Sequence, residues 1–185
     1  MRIISGIAGS RKIRVPGAVA RPSTDRLREA LFSILGPRVQ DARVLDLFAG
    51  SGALGLESLS RGARSCVFVD DSKQSQQVIA GNLKDLELTG GRVHAGDVFR
   101  MLSNEPGQYE LVFADPPYCK SPGEVDYVEK LLVDPSLPQR LSAGGLLVIE
   151  DAGGNHRDTY EGWDMIDKRS YGGSAILFYQ AQTNR

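Results

Sequence analysis

The chain has 185 residues, 41% of them hydrophobic and 24% charged, with a net charge of −1. That is the size of one globular domain with an ample core, and no apolar run approaches the ~18 residues of a membrane span. Met1-Arg2-Ile3-Ile4-Ser5-Gly6 lacks the unbroken apolar core of a signal peptide, and Cys66, Cys119, His94 and His156 show no metal-ligand spacing; a reduced, cytoplasmic, metal-free monomer is expected.

The charge is unevenly distributed. Residues 1–30 carry Arg2, Arg11, Lys12, Arg14, Arg21, Arg26 and Arg28 against Asp25 and Glu29, a net of +5 that leaves −6 for the remainder. A basic front end on an acidic body is the footprint of a nucleic-acid partner or of a solvated face. Two short β-rich runs, 2–7 and 11–15, are separated by Ala8-Gly9-Ser10 and ended by Pro16, a hairpin signal with Lys12 and Arg14 on one face. Ser23, Thr24 or Asp25 then caps a helix whose apolar positions 27, 30, 31, 34 and 35 form a buried stripe, which leaves Arg26 and Arg28 off the core face; Gly36-Pro37 ends it. Residues 1–38 are thus read as a basic appendage and 39–185 as the core of a single domain.

From Arg43 the pattern alternates: a strand at Val44-Leu45-Asp46-Leu47-Phe48, a glycine turn and helix through Leu59, a strand at 65–70, a helix at 72–88, a strand at 91–95, a short helix from Asp97, a strand at 109–114, helical segments within 123–141 and a strand at 145–150. Such alternation gives a parallel sheet covered by helices on both faces. The last two strands, 163–170 and 174–180, are joined only by Tyr171-Gly172-Gly173 and must pair antiparallel. The expected fold is a Rossmann-like α/β, mostly parallel seven-stranded sheet with an antiparallel C-terminal hairpin, preceded by the short N-terminal hairpin and helix.

Asp46-Leu47-Phe48-Ala49-Gly50-Ser51-Gly52-Ala53-Leu54-Gly55 places Gly-x-Gly-x-x-Gly directly between a strand and a helix, the context of a nucleotide-binding loop. The motif alone suits either NAD or S-adenosylmethionine, with Asp70 or the adjacent Asp71 on a ribose. Asp46 would repel a pyrophosphate but could accept from an α-amino group, and Asp97, followed by Val98, could accept from an adenine amine. Asp115-Pro116-Pro117-Tyr118 ends the fourth strand of the core; its prolines cannot continue a helix or a central strand, so a carboxylate, bare carbonyls and a flat ring are presented on a stiff edge. The bland reading of Asp46, Asp70 and Asp97 is capping and loop solvation. Four acids at four strand ends favour S-adenosylmethionine.

With Arg21-Pro22-Ser23-Thr24-Asp25-Arg26-Leu27-Arg28-Glu29-Ala30-Leu31-Phe32, the glycine loop, Asp115-Pro116-Pro117-Tyr118 and the closing Tyr171-Gly172-Gly173, the chain resembles the class I S-adenosylmethionine-dependent methyltransferases, and within them the RsmD family, over nearly its whole length. That resemblance implies methylation of a guanine exocyclic N2 amine in small-subunit (16S) ribosomal RNA, free or within a partly assembled subunit. It puts S-adenosylmethionine on Asp46, Phe48, Ala49, Gly50, Ser51, Gly52, Gly55, Asp70 or Asp71, Asp97 and Val98. The acceptor amine meets Asp115 and the Pro116 carbonyl, beside Pro117 and under a stacking Tyr118, and the RNA lies on Arg2, Arg11, Lys12, Arg14, Arg21, Thr24, Arg26 and Arg28. A DNA adenine-N6 or cytosine-N4 methyltransferase would use the same amine-gripping edge; a catalytically silent cofactor-binding module would leave Asp115 and Tyr118 idle. An NAD-dependent oxidoreductase would leave Asp46 and that edge without a task.

Overall fold

Runs of β-branched, leucine and aromatic residues between glycine-rich turns form the strands β1 (Arg43–Leu47), β2 (Ser65–Asp70), β3 (Gly91–Ala95), β4 (Tyr109–Ala114), β5 (Leu141–Ala152), β6 (Trp163–Tyr171) and β7 (Ser174–Ala181). The structure is a computed structural model that describes residues 1–17, 24–119, 121, 123–153, 157 and 160–182; Arg21, Ser23 and His156 lie outside the described residues. The strands make one sheet in the order β3-β2-β1-β4-β5-β7-β6, parallel from β3 to β5 and antiparallel for β7 and β6. β1, β2 and β4 are buried on both faces, which is why they read as continuous apolar runs instead of alternating ones.

Helices α1 (Asp25–Leu35), α2 (Ala53–Ser60) and α3 (Lys73–Asp85) cover one face, packing Leu31, Phe32, Leu56, Leu59 and Ile79 against Phe68, Phe113, Val148 and Phe178. On the other face, α4 (Val98–Asn104) and α5 (Tyr127–Leu132) pack Met101, Leu102, Val128 and Leu131 against Val69, Val112 and Ile149. A single 3-10 turn, Pro138–Arg140, follows α5. No helix among the described residues is long and apolar enough to cross a membrane.

Several elements depart from the sequence reading. The two N-terminal runs make one antiparallel bridge, Arg2 with Lys12, rather than a hairpin of continuous strands. Ile3 donates to the Arg11 carbonyl, Ser10 to that of Ile3 and Ile13 to that of Met1. Its turn docks on the end of α2: Gly6 has φ +85°, and a side chain there would collide with the Ser60 carbonyl, so only glycine fits. Strand β5 outruns 145–150 because pairing with β7 continues to Ala152 opposite Ser174. Helix α3 stops at Asp85, capped at its start by Ser72, and Glu87 turns to φ +56°.

The largest correction concerns α1. Thr24 is its cap, accepting from the Leu27 N–H at 3.2 Å, but the buried face is Leu27, Arg28, Leu31, Phe32 and Leu35, with Ile34 39% exposed. Arg28 is therefore inside, not off the core face. Its Nη2 donates to the Arg2 carbonyl at 2.8 Å and to Asp25 at 2.7 Å, and its Nη1 stands 3.8 Å from the buried Glu57 carboxylate. The guanidinium holds the N-terminal segment to the core, so it is not available to an RNA phosphate.

Candidate active site

The parallel register brings the chemistry to one edge. Leu47 lies opposite Val69 and Ala114, and Asp70 opposite Ala95, so the loops that follow β3, β2, β1 and β4 open side by side. Along that edge stand Asp97, Asp70, Asp46 and Asp115 in spatial order. The reversal of winding between β1 and β4 is where open α/β sheets hold ligands.

The glycine loop is tied from below. Asp46, 2% exposed, accepts the Gly55 N–H at 3.0 Å, and Asp70 accepts the Gly50 N–H at 2.8 Å and the Ser72 N–H at 2.9 Å. Asp70 is thus turned toward the loop, whereas Asp71 is exposed. Ala49 donates to the Val69 carbonyl, and Phe48 carries a φ of +56°, a strained conformation for a residue with a side chain, held here by its neighbours. Gly55 is a packing necessity: a side chain there would strike the Phe68 ring and the Cys66 sulfur. Ser51 is buried, and Gly52 opens α2 in a left-handed conformation with no side-chain cap, which leaves loop backbone free to approach a ligand.

Asp46 sets the electrostatics beneath the loop. Burial, opposed by the Gly55 hydrogen bond and reinforced by Asp70, pushes the Asp46 carboxyl up to about 8. A buried acid held neutral by desolvation ionises more readily once a cation lies beside it. The residues therefore fit the ammonium end of S-adenosylmethionine. Asp97 caps α4 through the Arg100 N–H at 2.9 Å, with Val98 buried behind it; its exposed carboxylate keeps acceptor capacity for an adenine amine.

At β4, the Asp115 N–H points to the Leu47 carbonyl, Pro116 is buried, Pro117 exposed and Tyr118 half-buried. The Tyr118 hydroxyl donates to Glu150 Oε1 at 3.0 Å and meets Ser174 Oγ at 2.9 Å. Burial first, with the Glu150 and Asp115 charges, raises its pKa against the Ser174 hydrogen bond, so the phenol stays protonated.

The proposed RNA track is only partly surface. Lys12 and Arg26 are exposed. Arg2 pairs with Asp25, Arg11 donates to the Leu86 and Asp85 carbonyls, and Arg14 pairs with Asp85, each about half exposed. Sequence reasoning missed four residues. Asn82, 1% exposed, clamps Arg14 backbone through both its N–H and carbonyl and donates to the Ser51 carbonyl, joining the appendage to the glycine loop. Glu57 accepts from Ile4, Ser5 and Arg61. Arg157 bridges Asp151 on β5 to Asp126, the cap of α5. Glu150 grips Tyr118. Among the described residues no group of three or more His, Cys, Asp and Glu could hold a metal ion.

A sheet of this order with a glycine loop at β1 and Asp-Pro-Pro-Tyr at the end of β4 is that of a class I S-adenosylmethionine-dependent methyltransferase. Residues 1–180 match the family described as Conserved hypothetical protein 95. The chain is 37% identical to YlbH of Bacillus subtilis over 187 residues, 97% of this chain and 98% of that one, and 34% identical to Ribosomal RNA small subunit methyltransferase D of Escherichia coli, over 98% and 90%. The solved structure of yhhF from Escherichia coli superposes with a TM-score of 0.84 at 34% identity, over 100% of this chain and 99% of that one. This chain belongs to that family, the RsmD family of ribosomal RNA methyltransferase relatives.

Proposed function

We propose that the protein methylates the exocyclic N2 amine of a guanine in 16S ribosomal RNA, with S-adenosylmethionine as donor. The observation that carries this reading is the contiguous row of carboxylates Asp97, Asp70, Asp46 and Asp115, ending on Pro116-Pro117-Tyr118; the names of its relatives supply the RNA. Asp46 holds the ammonium end of the donor, the backbone from Phe48 to Gly52 its middle, Asp70 the ribose and Asp97 with Val98 the adenine. When bound, the donor supplies an electrophilic methyl group.

A guanine N2 lone pair is delocalised into the ring, so positioning is the main task of the chain. Asp115 and the Pro116 carbonyl accept the two amine hydrogens and turn the lone pair toward the methyl group, and Tyr118 stacks on a base that is flipped or unpaired. Asp115 takes up the proton that methyl transfer makes acidic. The exposed Lys12 and Arg26, with the half-exposed Arg2, Arg11 and Arg14, carry the RNA, with free and subunit-bound RNA both open to them.

The test is transfer of labelled methyl to 16S ribosomal RNA, free and in small-subunit particles, followed by nucleoside analysis. N2-methylguanosine is expected, and Asp115→Ala is expected to lower turnover by at least about 100-fold while S-adenosylhomocysteine binding survives. Label on adenine or cytosine, or on DNA alone, would replace this reading. Lys12→Glu with Arg26→Glu should weaken RNA binding and flatten its salt dependence by about two phosphates' worth, roughly 0.7–0.9 each; unchanged affinity returns both residues to a solvated face.

A further inference from the structure

The closing hairpin reaches into the acceptor side of the site. Ala114 pairs with Ile149, so Glu150 stands level with Asp115 where β4 ends, and β7 begins with Ser174, paired with Ala152. Both side chains meet the same phenol oxygen: Tyr118 to Glu150 Oε1 is 3.0 Å and to Ser174 Oγ 2.9 Å. A phenol has one proton and an acceptor oxygen. The proton goes to the carboxylate, and the Ser174 hydroxyl donates back to the phenol oxygen.

We infer that Glu150 and Ser174 are positioning residues that lock the Tyr118 ring in the plane on which the acceptor base stacks. This rests on the stacking role proposed for Tyr118. Rotation of the phenol away from this position breaks both hydrogen bonds at once, so the half-buried ring is held before substrate arrives, and its ordering cost is met in folding. Glu150 and the buried Arg28 line the same small cavity with Ala114, Val148, Leu54 and Ile176. Arg28 Nε and Nη1 have no hydrogen-bond partner among the described residues. The β6–β7 hairpin, remote in sequence from the glycine loop and the Asp115 edge, thereby serves the acceptor.

Glu150→Ala is expected to lower kcat on RNA by about 10- to 100-fold, with S-adenosylhomocysteine affinity unchanged. Glu150→Gln, whose amide oxygen still accepts the phenol proton, should retain most of the rate. The decisive measurement is a cycle with Tyr118→Phe: once the hydroxyl is gone, Glu150→Ala should cost nothing more, whereas additive losses or a wild-type kcat for Glu150→Ala overturn the inference. NMR of tyrosine-labelled protein without RNA gives an independent readout. The Tyr118 hydroxyl proton should be protected in the wild type and Glu150→Gln and lost in Glu150→Ala; equal protection in all three overturns the lock. Should Glu150→Ala fail to fold, the same cycle is run with Ser174→Ala, and additivity there is equally fatal. A wild type that methylates no guanine sinks the proposed function but leaves the hydroxyl signal in place, so the two failures are distinguishable.

Discussion

Asp46→Asn is expected to melt higher than the wild type at neutral and alkaline pH and to lose S-adenosylhomocysteine. The carboxyl is buried beneath the glycine loop, and burial raises it from 3.8 in the unfolded chain to about 8 in the folded one. Between those values the folded state holds one proton more than the unfolded state. Stability therefore falls as pH rises, by about 1.4 kcal/mol per unit, and the loss is complete above the folded value. Asparagine keeps an oxygen for the Gly55 N–H and removes the titration, so its advantage should be largest near pH 8 and vanish toward pH 4. The ligand reverses the balance: an ammonium beside Asp46 favours the ionised form. Wild-type binding near pH 7 should release protons, visible in calorimetry as a dependence on buffer ionisation enthalpy. Removing one partner of a buried charged pair costs about 2–5 kcal/mol, or roughly 30- to 4,000-fold in affinity at 1.4 kcal/mol per tenfold. Melting curves at pH 4, 6 and 8 with one titration check all of it, and a variant less stable at pH 8 that still binds would remove Asp46 from the cofactor site.

The parallel half of the sheet is legible in the sequence because strands buried on both faces are unbroken apolar runs between turn residues; 65–70, 91–95 and 109–114 coincide with β2, β3 and β4. The four carboxylates are legible for a related reason, since a strand's C-terminal end is a local feature and the sheet aligns the ends. What depends on contact across the chain is not legible. Periodicity assigns an arginine to the surface, so Arg28 was expected outside, yet a guanidinium on a long apolar stem can be buried when acceptors from Arg2, Asp25 and Glu57 converge on it. Glu57 left a signal of its own: it is a carboxylate in Ala-Leu-Gly-Leu-Glu-Ser-Leu-Ser, a helix buried on every side, where a charge needs a partner. Asn82 and Glu150 had no comparable signal, because Arg14, Ser51 and Tyr118 lie 31 to 68 residues from them, and Arg157 had none because Asp126, the far end of its bridge, lies 31 residues away.

Glu57→Ala carries the largest expected loss of stability. The carboxylate is 0% exposed and receives the Ile4 N–H at 2.7 Å, the Ser5 N–H at 3.1 Å and Arg61 Nε at 2.7 Å, with Arg28 Nη1 at 3.8 Å. Arg61 in turn lies 4.8 Å over the Phe32 ring, so one acid fastens the N-terminal segment, α1 and α2 together. Truncation leaves two backbone donors without their acceptor and a buried guanidinium with less compensation; breaking such a pair costs about 3–5 kcal/mol. At about 2–4 °C per kcal/mol for a chain of this size, the melting temperature should fall by roughly 10 °C. The loss should localise: amide exchange in residues 3–13 should accelerate before that in β1 and β4, and RNA affinity should fall with it while the Asp46 site still binds its ligand. Glu57→Met with Arg28→Met should recover part of what Glu57→Met alone loses, because the stranded charge leaves with its partner. An unchanged melting temperature would show that Glu57 fastens nothing, and a double variant as unstable as the two single losses summed would show that the clamp is packing and not charge.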